Sequence, residues 1–213
     1  MNSRKVGIIG VGAVGATAAY TLSMMGNCHE IILFDIAPGV AQGKAIDIAQ
    51  ASYYAPQGTI VNAAEDISDI KNCDIVVITA GVPRKGDMTR ADLLMINARI
   101  IKDVTTSIKE NSPDAIIICV SNPLDVMTYV INKITNWDSN RIIGMAGALD
   151  GSRMAYQIQK KTGYSARQTG SLVIGDHGEN MIPLPHRISV GDIPLSDLVT
   201  NEDMEEIINK TKN

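Results

Sequence analysis

The chain has 213 residues, of which 45% are hydrophobic and 20% charged, and its formal net charge is −4 at pH 7. This length fits one large or two small domains, and the composition is typical of a soluble globular protein. The acidic balance and the lack of a basic segment argue against nucleic acid as a partner. Three scattered cysteines without ligand spacing indicate reduced, mostly buried thiols in a cytoplasmic protein and predict no metal site.

The segment Lys5–Asp35 predicts a site for a dinucleotide. A strand over Val6–Ile9 leads into GVGAVG at residues 10–15, a helix that ends near Gly26, and a strand over Ile31–Phe34 before Asp35. The acid follows the last glycine by 20 residues, as the dinucleotide-binding fingerprint requires. We expect Asp35 to accept hydrogen bonds from a ribose diol. The residues expected to surround the pyrophosphate, together with the helix N-terminus, are Gly10, Val11, Gly12, Ala13, Val14 and Gly15.

The same stretch admits a second interpretation. Val6–Gly26 is 21 residues long without a charge and follows Arg4 and Lys5, as in a signal peptide or membrane helix. Five of these residues are glycines, and a strand ending in an acid follows at the right distance. The dinucleotide-binding interpretation is therefore favoured, and no membrane partner is expected.

Helices and strands continue to alternate after Asp35. The predicted helices are Val40–Ala51, Ala91–Asn111 and a segment from Leu124 toward Ile134, and the predicted strands are Thr59–Asn62, Asp74–Thr79, Ala115–Val120 and Arg141–Ile143. This alternation predicts an α/β fold, a doubly wound parallel sheet, and with the glycine fingerprint it indicates a Rossmann-like dinucleotide-binding domain over residues 1–146. The remaining elements, predicted to form an α+β catalytic domain over residues 147–213, are a helix at Asp150–Thr162, strands at Gly170–Ile174 and Arg187–Val190, and a helix at Asn201–Lys212.

Ligands of open α/β sheets bind beyond the carboxyl ends of the strands, so polar residues there are candidates for a site. Such residues lie in Thr79–Arg90 and in Ser121–Asn122. Asn122 precedes Pro123, which indicates a helix start, an amide that binds substrate or nicotinamide, or both. Asn97 lies within a predicted helix, where asparagine is disfavoured, and this suggests a polar contact.

Two further clusters lie in the predicted second domain. Asp150 and Arg153 are three residues apart on one helix face, and the simplest interpretation is a surface ion pair. His177 lies in a GDHG sequence after an apolar strand. If Asp150 contacts His177, the carboxylate would fix the imidazole tautomer and the ring would exchange a proton with a substrate oxygen. Arg153 would bind a carboxylate through two hydrogen bonds, with Arg84 and Arg90 as further cations on a loop that could close.

Several motifs together resemble the lactate/malate dehydrogenase family: GVGAVG, TAGVPRK followed by TR, VSNPLDVMTY, LDGSR and GDHGENMIPL. They occur in family order over essentially the whole chain, and the closer resemblance is to the lactate-dehydrogenase-like malate dehydrogenases. The resemblance implies NAD as cofactor and reversible hydride transfer between malate and oxaloacetate, a tricarboxylic acid cycle reaction. It also implies a cytoplasmic homo-oligomer, either a dimer or a tetramer.

The resemblance assigns a role to each candidate. His177 corresponds to the proton donor/acceptor and Asp150 to its acidic partner, while Arg153 corresponds to the arginine that binds the substrate C1 carboxylate. Arg90 matches the arginine that polarises the carbonyl. Arg84 stands where malate enzymes carry arginine and lactate enzymes usually glutamine. Asn97 and Asn122 fall on positions implied to contact substrate or nicotinamide, and Val120 falls on a position whose backbone is implied to contact the cofactor.

The chain departs from the family in two places. Its substrate loop reads RKGDM where the family usually has RKPGM, so a proline is missing and an acid is added. Family members also extend well past Asn213, so we expect a shortened chain or a fragment with an incomplete second domain. Two alternatives therefore stay open: a lactate or other 2-hydroxy acid dehydrogenase, and a catalytically silent NAD-binding fragment.

Overall fold

A computed structural model describes residues 4–83, 86 and 88–212. Contacts divide the chain into two compact units, Met1–Gly144 and Met145–Asn213. Arg84, predicted to bind substrate, lies outside the described residues, as do Lys85 and Asp87 of the same loop.

The first unit contains a six-stranded parallel sheet in the order β3-β2-β1-β4-β5-β6. Its strands are β1 (Lys5–Ile9), β2 (Glu30–Phe34), β3 (Ile60–Ala63), β4 (Ile75–Ile78), β5 (Ile116–Cys119) and β6 (Ile142–Gly144). Its helices are α1 (Ala13–Met25), α2 (Val40–Ala51), α3 (Arg90–Asn111) and α4 (Leu124–Thr135). The predicted doubly wound sheet is thus confirmed. The strand order reverses between β1 and β4, the switch point where such sheets bind ligands.

The central strands are apolar because the sheet is covered on both faces. Ile8, Leu33 and Ile78 are 0% exposed, as are residues of β4 and β5 beside them. Charged side chains of strands β1 and β2 lie only at their first residues, Lys5 and Glu30. The polar segments that follow the strands meet at the opposite edge of the sheet.

The uncharged stretch Val6–Gly26 folds as β1, a glycine turn and α1. Helix α1 has only 13 residues. Within the part of the chain that the structure describes, no helix combines the length and the apolar character needed to cross a bilayer.

The second unit combines two helices with two antiparallel pairs of short strands. Its elements are α5 (Gly147–Thr162), β7 (Val173–Ile174), β8 (Ile182–Pro183), β9 (Ser189–Val190), β10 (Ile193–Pro194) and α6 (Asn201–Lys212). The pairs are β7 with β8 and β9 with β10. Lys161 of α5 forms ion pairs with Asp203 and Glu206 of α6, and these carboxylates raise the pKa of the lysine above its ordinary value.

Two predicted strands of this unit are shorter than expected. The strand expected from Gly170 begins only at Val173, because Gly170 N–H donates to the carbonyl of Ser189 in the other antiparallel pair. The strand expected from Arg187 begins at Ser189, because Arg187 ends a 3₁₀ turn that starts at Pro185. Both predictions were therefore wrong about the residue at which the strand begins.

Candidate functional site

The turn between β1 and α1 requires glycine at two positions. Gly10 has a φ of +90°, and a Cβ there would lie 2.6 Å from the backbone nitrogen of Ala80. A Cβ at Gly15 would lie 2.0 Å from the carbonyl oxygen of Gly10. Helix α1 therefore packs directly against the turn that precedes it, and no larger residue fits without a shift of the helix.

Gly12 is glycine for a different reason. No atom of the described residues lies within 4 Å of the position its Cβ would take, so the residue faces open space in this part of the structure. It is the N-cap of α1; among residues 4–83, 86 and 88–212 no side chain caps that helix end, and the first turn carries no acid. The N–H groups of the first turn and the positive end of the helix dipole thus adjoin the open space at Gly12. This arrangement fits a pyrophosphate.

The carboxylate of Asp35 is fixed at the end of β2 by two backbone groups. Its Oδ2 accepts from Val11 N–H at 2.6 Å, and its Oδ1 accepts from Ala37 N–H at 2.9 Å. Each carboxylate oxygen keeps further capacity to accept, so the group can also receive hydrogen bonds from a diol. The glycine turn and the acid are therefore one connected structure.

Two pockets meet at the glycine turn. The first encloses about 490 Å³ and contains Asp35, with walls from Ile36, Ile67 and one face of α3. The second encloses about 670 Å³ and contains the start of α1, Asn97 and Asn122. The residues common to both pockets are Gly12, Thr79, Gly81 and Val82. A long ligand could therefore pass from one pocket to the other across Gly12.

Asn97 fixes two segments that line the second pocket. The residue is 2% exposed, and its Oδ1 accepts from Val82 N–H at 2.9 Å. Its Nδ2 donates to the carbonyls of Val82 at 3.3 Å and Asn122 at 2.7 Å. The polar contact suggested by its mid-helix position thus exists, and it joins the segment after β4 to the segment after β5. Val120, in the latter segment, donates its N–H to Ile78 at 2.9 Å and also lines the pocket.

In the second unit, Asp150 joins His177 to Arg153. Asp150 lies in the first turn of α5 and is 2% exposed. Its Oδ2 lies 2.8 Å from His177 Nδ1, and its Oδ1 accepts from Arg153 Nη1 at 3.2 Å. The ion pair forms as predicted, but its acidic member is buried rather than at the surface. The Arg153 side chain remains 43% exposed, so its guanidinium can also bind a ligand.

Arg90 is the first residue of α3 and is exposed. The helix start is defined by Thr89 and Asp92, each of which accepts from the backbone N–H of the other at 3.1 Å. Hydrogen bonds from Thr89, its side chain first, lower the pKa of the Asp92 carboxyl below its ordinary value. This N-cap therefore fixes the backbone position from which the Arg90 side chain extends.

The predicted buried thiols are confirmed. Cys28, Cys73 and Cys119 are free and buried, and burial raises the pKa of each. Within the described ranges, no group of three or more His, Cys, Asp or Glu residues is arranged to hold a metal ion.

Sequence reasoning missed most of the first pocket. Ile100, Asp103 and Val104 of α3 line it, and none of the three was a candidate from the sequence, which predicted only a helix over these positions. The spacing i, i+3, i+4 does place all three on one face. Nothing in the sequence shows that this face lines a pocket together with Asp35.

Comparisons with known proteins cover both units. Residues 4–144 match the family model described as lactate/malate dehydrogenase, NAD binding domain, and residues 147–213 match lactate/malate dehydrogenase, alpha/beta C-terminal domain. The malate dehydrogenase of Sulfurimonas denitrificans is 53% identical over 99% of this chain and 66% of its own length. The chain thus spans about two thirds of the length of this curated relative.

Solved structures from both branches of the family are similar to this fold. The malate dehydrogenase of Plasmodium falciparum has a TM-score of 0.90 at 40% identity, covering 99% of this chain and 68% of that one. The lactate dehydrogenase of Cryptosporidium parvum, complexed with lactic acid and NAD, has a TM-score of 0.92 at 37% identity, covering 100% and 68%. Since family models match nearly all of its length, the chain belongs to the lactate/malate dehydrogenase family.

Proposed function

We propose that the chain is an NAD-dependent malate dehydrogenase that catalyses reversible hydride transfer between malate and oxaloacetate. The observation that carries the proposal is the bond between His177 and the buried Asp150, which also holds Arg153. In this proposal residues 1–146 form the dinucleotide-binding domain and residues 147–213 belong to the catalytic domain. The curated relative from Sulfurimonas denitrificans, named malate dehydrogenase, favours malate over other 2-hydroxy acids.

The first unit would hold the cofactor. Gly12 and the start of α1 would bind the pyrophosphate, because backbone N–H groups there adjoin open space. Asp35 would accept from the adenosine ribose, and the second pocket, with Asn97, Val120 and Asn122, would take the nicotinamide half. NAD, when bound, supplies or accepts the hydride.

Residues of the second unit would transfer the proton to and from the substrate. Asp150 accepts from His177 Nδ1, which keeps the hydrogen on that nitrogen and assigns proton exchange with the substrate oxygen to Nε2. A buried carboxylate at this distance also stabilises the imidazolium that forms when malate is oxidised. The pair would thus serve as base in one direction and acid in the other.

The cations would bind and polarise the substrate. Arg153, already oriented by Asp150, would form a two-bond contact with the C1 carboxylate. Arg90 would polarise the reacting carbonyl, and Asn122 would add a hydrogen bond to substrate. Arg84 would bind the second carboxylate, which oxaloacetate has and pyruvate lacks.

Cell context is proposed on family membership alone. We propose a cytoplasmic enzyme of the tricarboxylic acid cycle that acts as a homo-oligomer, either a dimer or a tetramer. The alternative substrate is lactate, since lactate and malate dehydrogenases share this fold at similar TM-scores.

Arg84→Gln tests the substrate assignment. A charge-assisted contact contributes about 2 kcal/mol or more, so oxaloacetate efficiency should fall by roughly 30-fold or more while pyruvate efficiency is maintained or rises. The measurement is kcat/KM for NADH oxidation with each substrate, and Lys85→Gln, which removes the neighbouring cation, is the matched control. Equal losses on both substrates, or an equal effect of Lys85→Gln, would show that Arg84 does not select the dicarboxylate.

A further inference from the structure

The first pocket contains a second carboxylate that the proposed reaction does not use. Asp103 lies on α3 and lines the pocket that also contains Asp35. Two backbone N–H groups hold Asp35, whereas no described residue forms a hydrogen bond or ion pair with the Asp103 carboxylate. Asp103 is therefore an acceptor with its capacity left for a ligand.

The surroundings of Asp103 select the kind of ligand. Ile100 and Val104 lie beside Asp103 on the same face of α3. Ile36 and Ile67 add further apolar side chains to the pocket wall. Such aliphatic walls suit a flat heteroaromatic ring. Among the described residues that line this pocket none is positively charged, and two are acids. The pocket therefore favours a neutral group that donates hydrogen bonds and disfavours a phosphate.

Adenosine presents donors at its two ends. Its ribose hydroxyls would donate to Asp35 at the end of β2, and its ring would lie between the aliphatic side chains. An ionised carboxylate only accepts, so it pairs with the exocyclic amine of adenine and repels a carbonyl at that position. We infer that Asp103 accepts a hydrogen bond from the adenine 6-amino group and makes the site selective for adenine dinucleotides.

This inference rests on the proposed NAD site. The experiment must therefore distinguish a chain that binds no dinucleotide from a chain that binds dinucleotides without preferring adenine. Reduced nicotinamide hypoxanthine dinucleotide matches NADH in its ribose, pyrophosphate and nicotinamide groups. It carries a 6-oxo acceptor in place of the 6-amino donor, and its N1 carries a hydrogen that adenine lacks. Titrations of both dinucleotides, followed by nicotinamide fluorescence, compare the C6–N1 edge of the base at constant phosphate contacts.

The unsubstituted chain should bind NADH about threefold to tenfold more tightly than the hypoxanthine analogue, the range expected for one hydrogen bond. Asp103→Asn should bring the two affinities close to equality, because an amide can accept from the amine or donate to the carbonyl. Glu110→Gln removes the same charge from the same helix at a residue that does not line the pocket, and it should keep the difference. Thermal unfolding of each variant verifies that the exposed substitutions leave the fold intact.

Equal affinity of the unsubstituted chain for both dinucleotides would overturn the inference and leave the NAD site standing. A difference that survives in Asp103→Asn, or disappears equally in Glu110→Gln, would also overturn it. If neither dinucleotide binds, the proposed cofactor site fails and the inference fails with it.

Discussion

Alanine at Gly12 and at Gly15 should separate ligand binding from folding. A Cβ at Gly15 would lie 2.0 Å from the carbonyl oxygen of Gly10, whereas a Cβ at Gly12 would meet no described atom within 4 Å. Because Gly12 has an extended backbone with φ of −69°, alanine can adopt its conformation without strain. The two substitutions add the same methyl group three residues apart, once into a packed interface and once into open space.

The magnitude for Gly15→Ala follows from the overlap. Relief of the clash requires a shift of α1 by more than about 1 Å, and such overpacking typically costs about 1–3 kcal/mol. For a chain of this size, that cost lowers the unfolding midpoint by roughly 2–12 °C. The shift also displaces the N–H groups at the start of α1, so NADH affinity should fall together with stability.

Gly12→Ala should leave stability nearly unchanged, with a loss below about 1 kcal/mol from the poorer N-cap. Its methyl group would occupy the space proposed for the pyrophosphate, so NADH should bind at least about tenfold more weakly, equivalent to 1.4 kcal/mol. Thermal unfolding by circular dichroism and titration of nicotinamide fluorescence measure the two effects on the same samples. NADH affinity unchanged in Gly12→Ala would refute the placement of the pyrophosphate. An unfolding midpoint unchanged in Gly15→Ala would refute the packing argument.

Three further predictions concern other parts of the chain. Asp35→Ser should narrow the preference for NADH over NADPH, since it removes an acid that repels a 2′-phosphate, and equal efficiencies with both cofactors before substitution would contradict this role. Asp150→Asn should lower oxaloacetate turnover by at least about a hundredfold with NADH affinity unchanged, because an amide that donates to His177 favours the wrong tautomer. A smaller loss would mean that the carboxylate does not orient the ring. The three cysteines should react slowly with a thiol reagent at neutral pH, and faster as pH rises, because burial raises their pKa and suppresses the thiolate; rapid labelling of the folded chain would contradict their burial.

Much of the first unit could be predicted because its signals are local. The bounds of α2 agree with the prediction at both ends, and the glycine turn lies between the strand and helix expected on either side of it. Parallel strands buried on both faces are continuous apolar runs in the sequence. Each predicted strand of the first unit therefore agrees with an observed strand to within a residue or two at either end. Here local pattern and global fold agree.

The second unit was harder to predict because its strands have only two residues each and depend on distant partners. Gly170 bonds to Ser189 rather than continuing toward Val173, and no local pattern reports that choice. The spacing of Asp150 and Arg153 placed them on one face, but the burial of Asp150 depends on tertiary packing. Asp103 could not be predicted as a site residue either, because only tertiary packing places this exposed acid of α3 beside a pocket.

Oxaloacetate-dependent oxidation of NADH by the 213-residue chain, with malate quantified as product, is the most direct test of the proposed reaction. We expect equimolar malate and oxidised cofactor, and a rate reduced by at least about a hundredfold in His177→Asn with NADH binding retained, since general acid catalysis contributes that much or more. NADH binding without malate formation, or His177→Asn turning over as fast as the unsubstituted chain, would contradict it.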